Sequence, residues 1–254
     1  MANILTQGSK QDRAKVLFLL SMFPLAWFSM KLSMPALPTL VRVFHSAALV
    51  KLSVTVFFVC YAIGQLLWGL LSHIYSRRLC VMAGLLLMII GTVIIVITPS
   101  MAIYMVGRGC EGFGAAMLSP LGRAMIGDTY QSRDIGFIMT LASVICCTIP
   151  TVGPIVGSII LVHAGWRMIF GCFLGILMIY FVIAWLELSH IQQSQVHVKP
   201  SWQTLKDDYT MILSSSRFWS YSMCYMLCSG TLLSYYAAMP FWFVDQLHFP
   251  LHYY

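Results

Sequence analysis

Charged side chains are scarce in this sequence. Asp, Glu, Lys and Arg make up only 9% of the 254 residues, whereas soluble proteins carry about 25%. Apolar residues reach 59%, and they gather in uncharged runs of the length that a bilayer crossing needs, about 20 residues. This composition excludes an ordinary soluble globular protein and indicates an integral membrane protein.

The sequence also lacks the short motifs of several enzyme classes. It contains no GxxxxGK[ST] phosphate-binding loop, no HExxH metalloprotease motif and no GxSxG nucleophile motif. The eight cysteines fall within or at the edges of apolar runs, and no His or carboxylate accompanies Cys224 and Cys228, the pair that shares a helical face. We therefore expect free buried thiols, no metal site, no cofactor and no enzymatic activity.

The formal charge of +7 comes from basic residues scattered in short loops, which excludes a nucleic-acid-binding stripe. Basic residues instead predict topology, because cytoplasmic loops carry an excess of them. A cytoplasmic amino terminus places ten basic residues inside and three outside, so we expect that orientation in the inner (plasma) membrane. The ten are Lys10, Arg13, Lys15, Arg77, Arg78, Arg123, Arg133, Lys199, Lys206 and Arg217, and the three are Arg42, Lys51 and Arg167.

Seven apolar runs predict seven transmembrane helices. Residues 1–187 form an amino-terminal six-helix unit, residues 188–217 form a cytoplasmic linker, and residues 218–254 hold one further helix and an outside loop. The runs are 16–38, 52–71, 79–98, 101–125, 135–162, 168–186 and 218–239.

Prolines and basic residues suggest where the first run ends. Pro35 and Pro38 are expected to kink or stop the first helix, and Arg42, His45 and Lys51 are expected in the outside loop that follows.

Apart from Arg123, which is counted with the loops because it lies at the end of the fourth run, three charged residues lie inside apolar runs. Arg108 and Glu111 share a face of the fourth predicted helix, and Lys31 lies deep in the first. A charge in hydrocarbon costs about 2.5–3.5 kcal/mol on insertion scales unless it faces protein or water. The group is therefore either a structural ion pair or the wall of a polar cavity that handles protons or substrate.

Two pairings are open for Glu111. It pairs either with Lys31, leaving Arg108 as a second cation of the cluster, or with Arg108 along its own helix. The first pairing is the one we expect, because an unpaired buried charge is poorly tolerated. In the alternative, Lys31 points elsewhere or extends its ammonium group toward an interface.

Two stretches of the sequence, 66–78 and 108–116, resemble signatures of the major facilitator superfamily, and within it the Bcr/CflA-like multidrug:proton antiporters. Residues 66–78, LLWGLLSHIYSRR, resemble the gating turn after the second helix: Gly69, Arg77 and Arg78 match, but His73 replaces Asp and Ser76 replaces Gly. Residues 108–116, RGCEGFGAA, resemble the fourth-helix signature of proton-coupled members, with Glu111 where Gln is usual.

Two further stretches resemble the same family. Residues 150–157, PTVGPIVG, resemble the antiporter signature of the fifth helix, which the resemblance makes a hinge of Pro150, Gly153, Pro154 and Gly157. The segments MPALP (34–38) and GWR (165–167) are similar to the end of the first helix and the turn before the sixth. The subfamily commonly has an acid where this chain has Lys31.

The resemblance implies an all-α membrane protein: the six-helix half of a twelve-helix bundle, plus a seventh helix, in a chain that we expect to be incomplete. It implies export of drug-like small molecules in exchange for protons by alternating access, with Lys31, Arg108 and Glu111 on the substrate and proton pathway. Its partners are the cargo, protons, the lipid bilayer and a missing second half, without which we expect no transport. A truncated, non-transporting membrane protein and a metabolite uniporter or importer remain as alternatives.

Overall fold

The computed structural model describes residues 10–130, 132–190 and 210–241. The described residues form helices and turns and contain no β-strand. A 3₁₀ turn, Met34–Ala36, joins the first two helices. The helices are α1 Lys10–Ser33, α2 Leu37–Phe44, α3 Ala47–Ile74, α4 Arg77–Ile97, α5 Met101–Ala115, α6 Leu118–Thr129, α7 Ser132–Ala164, α8 Trp166–His190 and α9 Ser216–Phe241.

The chain divides into two compact units, with α1 to α8 in the first and α9 in the second. Most of the predicted linker, residues 191–209, lies outside the described residues, as does the predicted outside loop after Phe241. Of the residues predicted as linker, Leu188 belongs to α8 and Arg217 belongs to α9. The linker itself remains a prediction. All of the candidate site residues lie in the first unit.

Within the described residues, five helical segments are long and apolar enough to cross a membrane: Ala14–Phe44, Ala47–Ser72, Arg77–Ile97, Asp134–Ala164 and Trp166–Ser189. The first is longer than predicted. Helical structure continues past Pro35 and Pro38, because each lies in the first turn of a new helical segment. An N–H at that position would have no hydrogen-bond partner within the helix, so its absence in proline costs nothing. Arg42 and Lys51 are accordingly helical, and the link between α2 and α3 is reduced to His45 and Ser46.

The fourth predicted span is not one continuous helix. It consists of α5 and α6, separated by a turn at Ala116 and Met117. Pro120 explains the break, because proline has no N–H to donate to the carbonyl of Ala116 and its ring crowds that carbonyl. Neither piece alone has the length of a bilayer crossing, and α9, rich in serine and tyrosine, is also outside the set of five.

The turns between helices are short and capped by side chains. Ser46, Ser76 and Ser100 accept hydrogen bonds from the amides of Leu49, Leu79 and Ile103 at 3.3, 3.3 and 3.4 Å, which starts α3, α4 and α5.

Gly165 alone separates α7 from α8. Its φ of 79° is one that glycine adopts without strain, and its amide donates to the carbonyl of Leu161 at 3.1 Å. Successive long helices are therefore folded back on one another.

A seam of glycines holds α4 against α5. A Cβ on Gly91 would lie 2.7 Å from the amide nitrogen of Glu111, and a Cβ on Gly114 would lie 2.6 Å from the carbonyl oxygen of Gly84. Gly107 faces the carbonyl of Gly91 in the same way, at 2.9 Å. Only glycine permits such close backbone approach, and this seam fixes the position of Glu111.

The eight cysteines are free thiols. Cys80 is buried, but Cys147, Cys224 and Cys228 are exposed, so the prediction that all the cysteines are buried is wrong for these three. Exposure of an apolar thiol on an outward helix face is compatible with a lipid environment.

Candidate functional site

A buried polar cluster joins α5 to α1. Arg108 Nη1 donates to Glu111 Oε2 at 2.6 Å, and the hydroxyl of Ser29 donates to Glu111 Oε1 at 2.6 Å. The exposed fractions are 0% for Glu111 and 2% for each of the other two residues. Each carboxylate oxygen therefore has a hydrogen-bond donor, as a charge in a low-dielectric interior requires.

The guanidinium of Arg108 is also in contact with α3. Its Cζ lies 4.4 Å from the ring centroid of Phe57, a cation–π contact. Phe57 is itself buried and stacks on Tyr61, and Gly112 packs directly on the carbonyl of Phe57. The cluster thus holds three helices together around one ion pair.

Lys31 is buried on a different side of α1. A Cβ added to Gly153 of α7 would lie only 2.8 Å from the Cβ of Lys31, so the base of the lysine side chain packs against α7. Ser29, two residues earlier, faces α5 instead, because two residues of a helix separated by one other point about 200° apart. The structure pairs Glu111 with Arg108, and the expected pairing with Lys31 remains a prediction.

The four residues of the predicted hinge all lie within α7, which is helical through Pro150 and Pro154. Gly153 and Gly157 face α1: a Cβ on Gly157 would collide with the carbonyl of Leu32 and lie 2.9 Å from Pro35 Cγ. This stretch of α7 therefore lies directly on the part of α1 that carries Lys31. Its role as a hinge remains a prediction.

The predicted gating turn lies between α3 and α4. Gly69 and His73 belong to the last turns of α3, and Arg77 and Arg78 open α4. A Cβ on Gly69 would meet nothing within 4 Å, so packing in this unit does not require glycine there.

The two arginines tie α4 to the ends of other helices. Arg77 Nη2 forms an ion pair with Asp128 Oδ2 of α6 at 2.8 Å. Arg78 Nη2 donates to the carbonyl of Trp185 of α8 at 3.5 Å, and its Cζ lies 4.8 Å from the Trp185 ring centroid. We call this the Arg77 end of the unit.

The opposite end is closed by aromatic rings. Phe44, Tyr104, Trp166 and Phe170 form a chain of ring contacts with centroids 6.0 to 6.4 Å apart. Arg167 donates to the carbonyl of Thr98 at 3.0 Å, which ties the start of α8 to the turn after α4. Tyr104 lies one helical turn before Arg108, so the aromatic group borders the buried cluster.

Sequence reasoning missed Ser29, Phe57, Asp128 and Trp185. Ser29 resembles Ser21 and Ser33, which lie in the same apolar run but donate to main-chain carbonyls. Only the tertiary contact between α1 and α5 distinguishes it. An acid at the end of the fourth run, opposite the paired arginines, was the one available signal for Asp128.

Comparison with known families identifies the chain. The family model described as Major Facilitator Superfamily matches residues 19–254. The chain belongs to the major facilitator superfamily. It is therefore a multi-pass membrane protein of a transporter family, and its all-helical unit α1 to α8 corresponds to one half of that fold.

Relatives of this superfamily member include proteins of two bacteria. An uncharacterized transporter of Rickettsia felis is 26% identical over 216 residues, which cover 83% of this chain and 52% of the relative. A chloramphenicol resistance protein of Pseudomonas aeruginosa is 27% identical over 231 residues, which cover 89% of this chain and 54% of the relative. The chain thus spans about half the length of the curated relatives it matches.

The fold agrees with a solved transporter structure. A bacterial homologue of the human lysosomal transporter Spinster, in an inward-facing and unoccupied conformation, matches with a TM-score of 0.77 at 13% identity. The match covers 96% of this chain and 58% of that one. At this identity the likeness establishes the fold.

Proposed function

We propose that this chain forms the amino-terminal part of a transporter that exports drug-like small molecules in exchange for protons, by alternating access. The observation that carries the proposal is the fully buried carboxylate of Glu111, held by Arg108 on its own helix and by Ser29 on α1. The chloramphenicol resistance protein among its relatives supports the choice of cargo class.

Glu111 is the member of the cluster suited to carrying a proton. Arginine stays protonated in proteins, and a serine hydroxyl does not ionise near neutral pH, whereas a carboxylate binds and releases a proton readily. Ionisable groups inside transmembrane segments generally mark such pathways. Lys31, buried beside Gly153, adds a second cation close to the proposed hinge.

The proposed transporter also has a second transmembrane half. Transporters of this fold bind cargo between two halves that move against each other, and this chain spans about half the length of its relatives. Residues 1–254 alone are therefore proposed not to transport. The amino terminus is proposed to lie in the cytoplasm and the protein in the plasma membrane, on the basis of the basic-residue distribution.

One observation favours a second candidate, a uniporter or importer of a small anionic metabolite. Lys31 is a cation where the Bcr/CflA-like members commonly have an acid, and a fixed cation in a low-dielectric site attracts an anion. Such a carrier would work without a proton gradient. Sensitivity to a protonophore separates the two candidates.

The test is chloramphenicol resistance in a susceptible bacterial host, with the protein expressed from its complete reading frame. We expect resistance that a protonophore abolishes and that Glu111→Gln removes, because the amide cannot carry a proton. Glu187→Gln is the matched control, since it makes the same change outside the cluster, and it should keep resistance. Absence of resistance, or resistance that persists with the protonophore, contradicts the proposal.

A further inference from the structure

The two oxygens of Glu111 have chemically different partners. Oε2 faces the guanidinium of Arg108, which only donates hydrogen bonds. Oε1 faces the hydroxyl of Ser29, which can either donate or accept. Both distances are 2.6 Å, and such short contacts are typical of charge-assisted bonds to an ionised carboxylate.

This difference decides which oxygen can take a proton. A proton on Oε2 would point at the N–H groups of Arg108 and lose its hydrogen bond. A proton on Oε1 would point at Ser29 Oγ, whose lone pairs can accept it. Oε1 is therefore the oxygen at which both protonation states of Glu111 keep a hydrogen bond to α1.

The serine needs a new acceptor for its own hydrogen when this happens. Serines in helices commonly donate to a carbonyl three or four residues earlier, and two serines of α1 do so here. Ser21 donates to Phe18 O at 2.7 Å, and Ser33 donates to Met30 O at 2.8 Å. The corresponding carbonyls for Ser29 are those of Leu25 and Ala26.

We propose that Glu111 and Ser29 together form the proton-binding site of this chain, and that the hydrogen bond between them reverses direction when a proton binds. The proton comes from a hydronium ion, whose O–H bond breaks to leave water as a new O–H bond forms at Oε1. The Ser29 hydrogen rotates to the main chain, and Ser29 Oγ accepts from Glu111; release reverses each step. Ser29 is a positioning residue, and the inference rests on the proposed proton coupling.

The surroundings of the site are consistent with a change of charge. Ionisable groups near it on the surrounding helices include Arg108, Tyr104 and Cys110 on α5, Lys31 on α1, and Cys60 and Tyr61 on α3, while α4 presents Gly91 to the Glu111 amide. When Glu111 is neutral, Arg108 keeps its contact with the Phe57 ring at 4.4 Å, which does not depend on the carboxylate.

The test is infrared difference spectroscopy of the purified full chain between high and low pH. We expect a carboxylic-acid C=O band at low pH that disappears in Glu111→Gln. In Ser29→Ala the band should move to the frequency of a carboxylic acid without a hydrogen bond. Ser29→Thr keeps a hydroxyl and should keep the original frequency. Ser33→Ala, another buried serine of α1 that bonds to the main chain, is the matched control and should leave the band unchanged.

Each contrary outcome has its own meaning. If no band is lost in Glu111→Gln, Glu111 stays ionised and the site is refuted, although protonophore-sensitive resistance would still uphold the proposed function. If the band is present but Ser29→Ala leaves its frequency unchanged, Ser29 is not the partner. If Ser29→Ala does not fold, Ser29→Thr decides, because a shifted band there refutes the reversible hydroxyl.

Discussion

The ionised carboxylate of Glu111 is stable in the bundle because its cation stays beside it. Arg108 and Glu111 stay together because they lie on the same turn of α5, three residues apart. Movement of neighbouring helices therefore leaves the ion pair intact and changes only its outer contacts, those to Ser29 and Phe57.

Removing the cation alone should be the most harmful change. We expect Arg108→Met to lower the free energy of unfolding by about 3–5 kcal/mol, because Glu111 is left buried and unpaired. Adding Glu111→Gln should restore part of the loss, with a coupling of about 0.5–3 kcal/mol in a double-mutant cycle. Unfolding of the purified variants in detergent measures both values, and additive effects would contradict the pairing.

The same cycle tests the other pairing considered for Glu111. Because Lys31 starts against Gly153 of α7, Lys31→Met should couple to Glu111→Gln less strongly than Arg108→Met does. A larger coupling for Lys31 than for Arg108 would show that the lysine is the principal partner. The measurement is again unfolding in detergent, with all three single variants run together.

Local spacing allowed the Arg108–Glu111 pair to be predicted as one of two alternatives, since residues three apart on a helix are neighbours in any fold. Ser29 and Lys31 could not be placed in this way. Their contacts depend on how α1 is rotated relative to α5 and α7, and uncharged neighbours in a membrane segment give little hydrophobic periodicity from which to read that rotation.

At the scale of elements, the unit is organised by close contacts of helix backbones. The places of the five long helices followed from the apolar runs, because a bilayer sets their length. The interruption at Ala116 and the continuation of helical structure past Pro38, in new segments, did not follow from them. Proline breaks one helix and starts another depending on its position in the turn.

The contact of α7 with α1 gives a prediction with a control on the same helix. Gly157→Ala should destabilise the protein by about 1–3 kcal/mol, because the added Cβ collides with the Leu32 carbonyl and neither backbone can yield easily. Gly136→Ala adds the same methyl group to α7 where nothing lies within 4 Å, and should be neutral or slightly stabilising. Equal unfolding temperatures for the two variants in detergent would contradict the packing described.

At the scale of the whole molecule, the distribution of contacts agrees with a unit that has two chemically distinct ends. Arg77, Arg78 and Asp128 meet at one end, and the aromatic group around Trp166 lies at the other. The orientation of these ends in the membrane remains a prediction from the basic residues.

That orientation is checked by reporter fusions. A reporter placed after Gln195, in a stretch outside the described residues, should behave as cytoplasmic, and one inserted at His163 should behave as external, because ten of the thirteen loop arginines and lysines then lie inside. Tyr254 is expected on the same side as His163. An external signal after Gln195 would invert the whole arrangement.

Because of the glycine seam, we expect α4 and α5 to move together as one rigid body. One end of α4 carries Arg77, which is bound to Asp128, and Gly91 lies against the Glu111 amide about 21 Å further along, at 1.5 Å of rise per residue. Closely packed backbones are nearly incompressible, so an axial shift of α4 at its Arg77 end moves Glu111 by about the same amount. We therefore expect forming or breaking the half-exposed ion pair between these two helix ends to shift a carboxylate in the middle of the bundle.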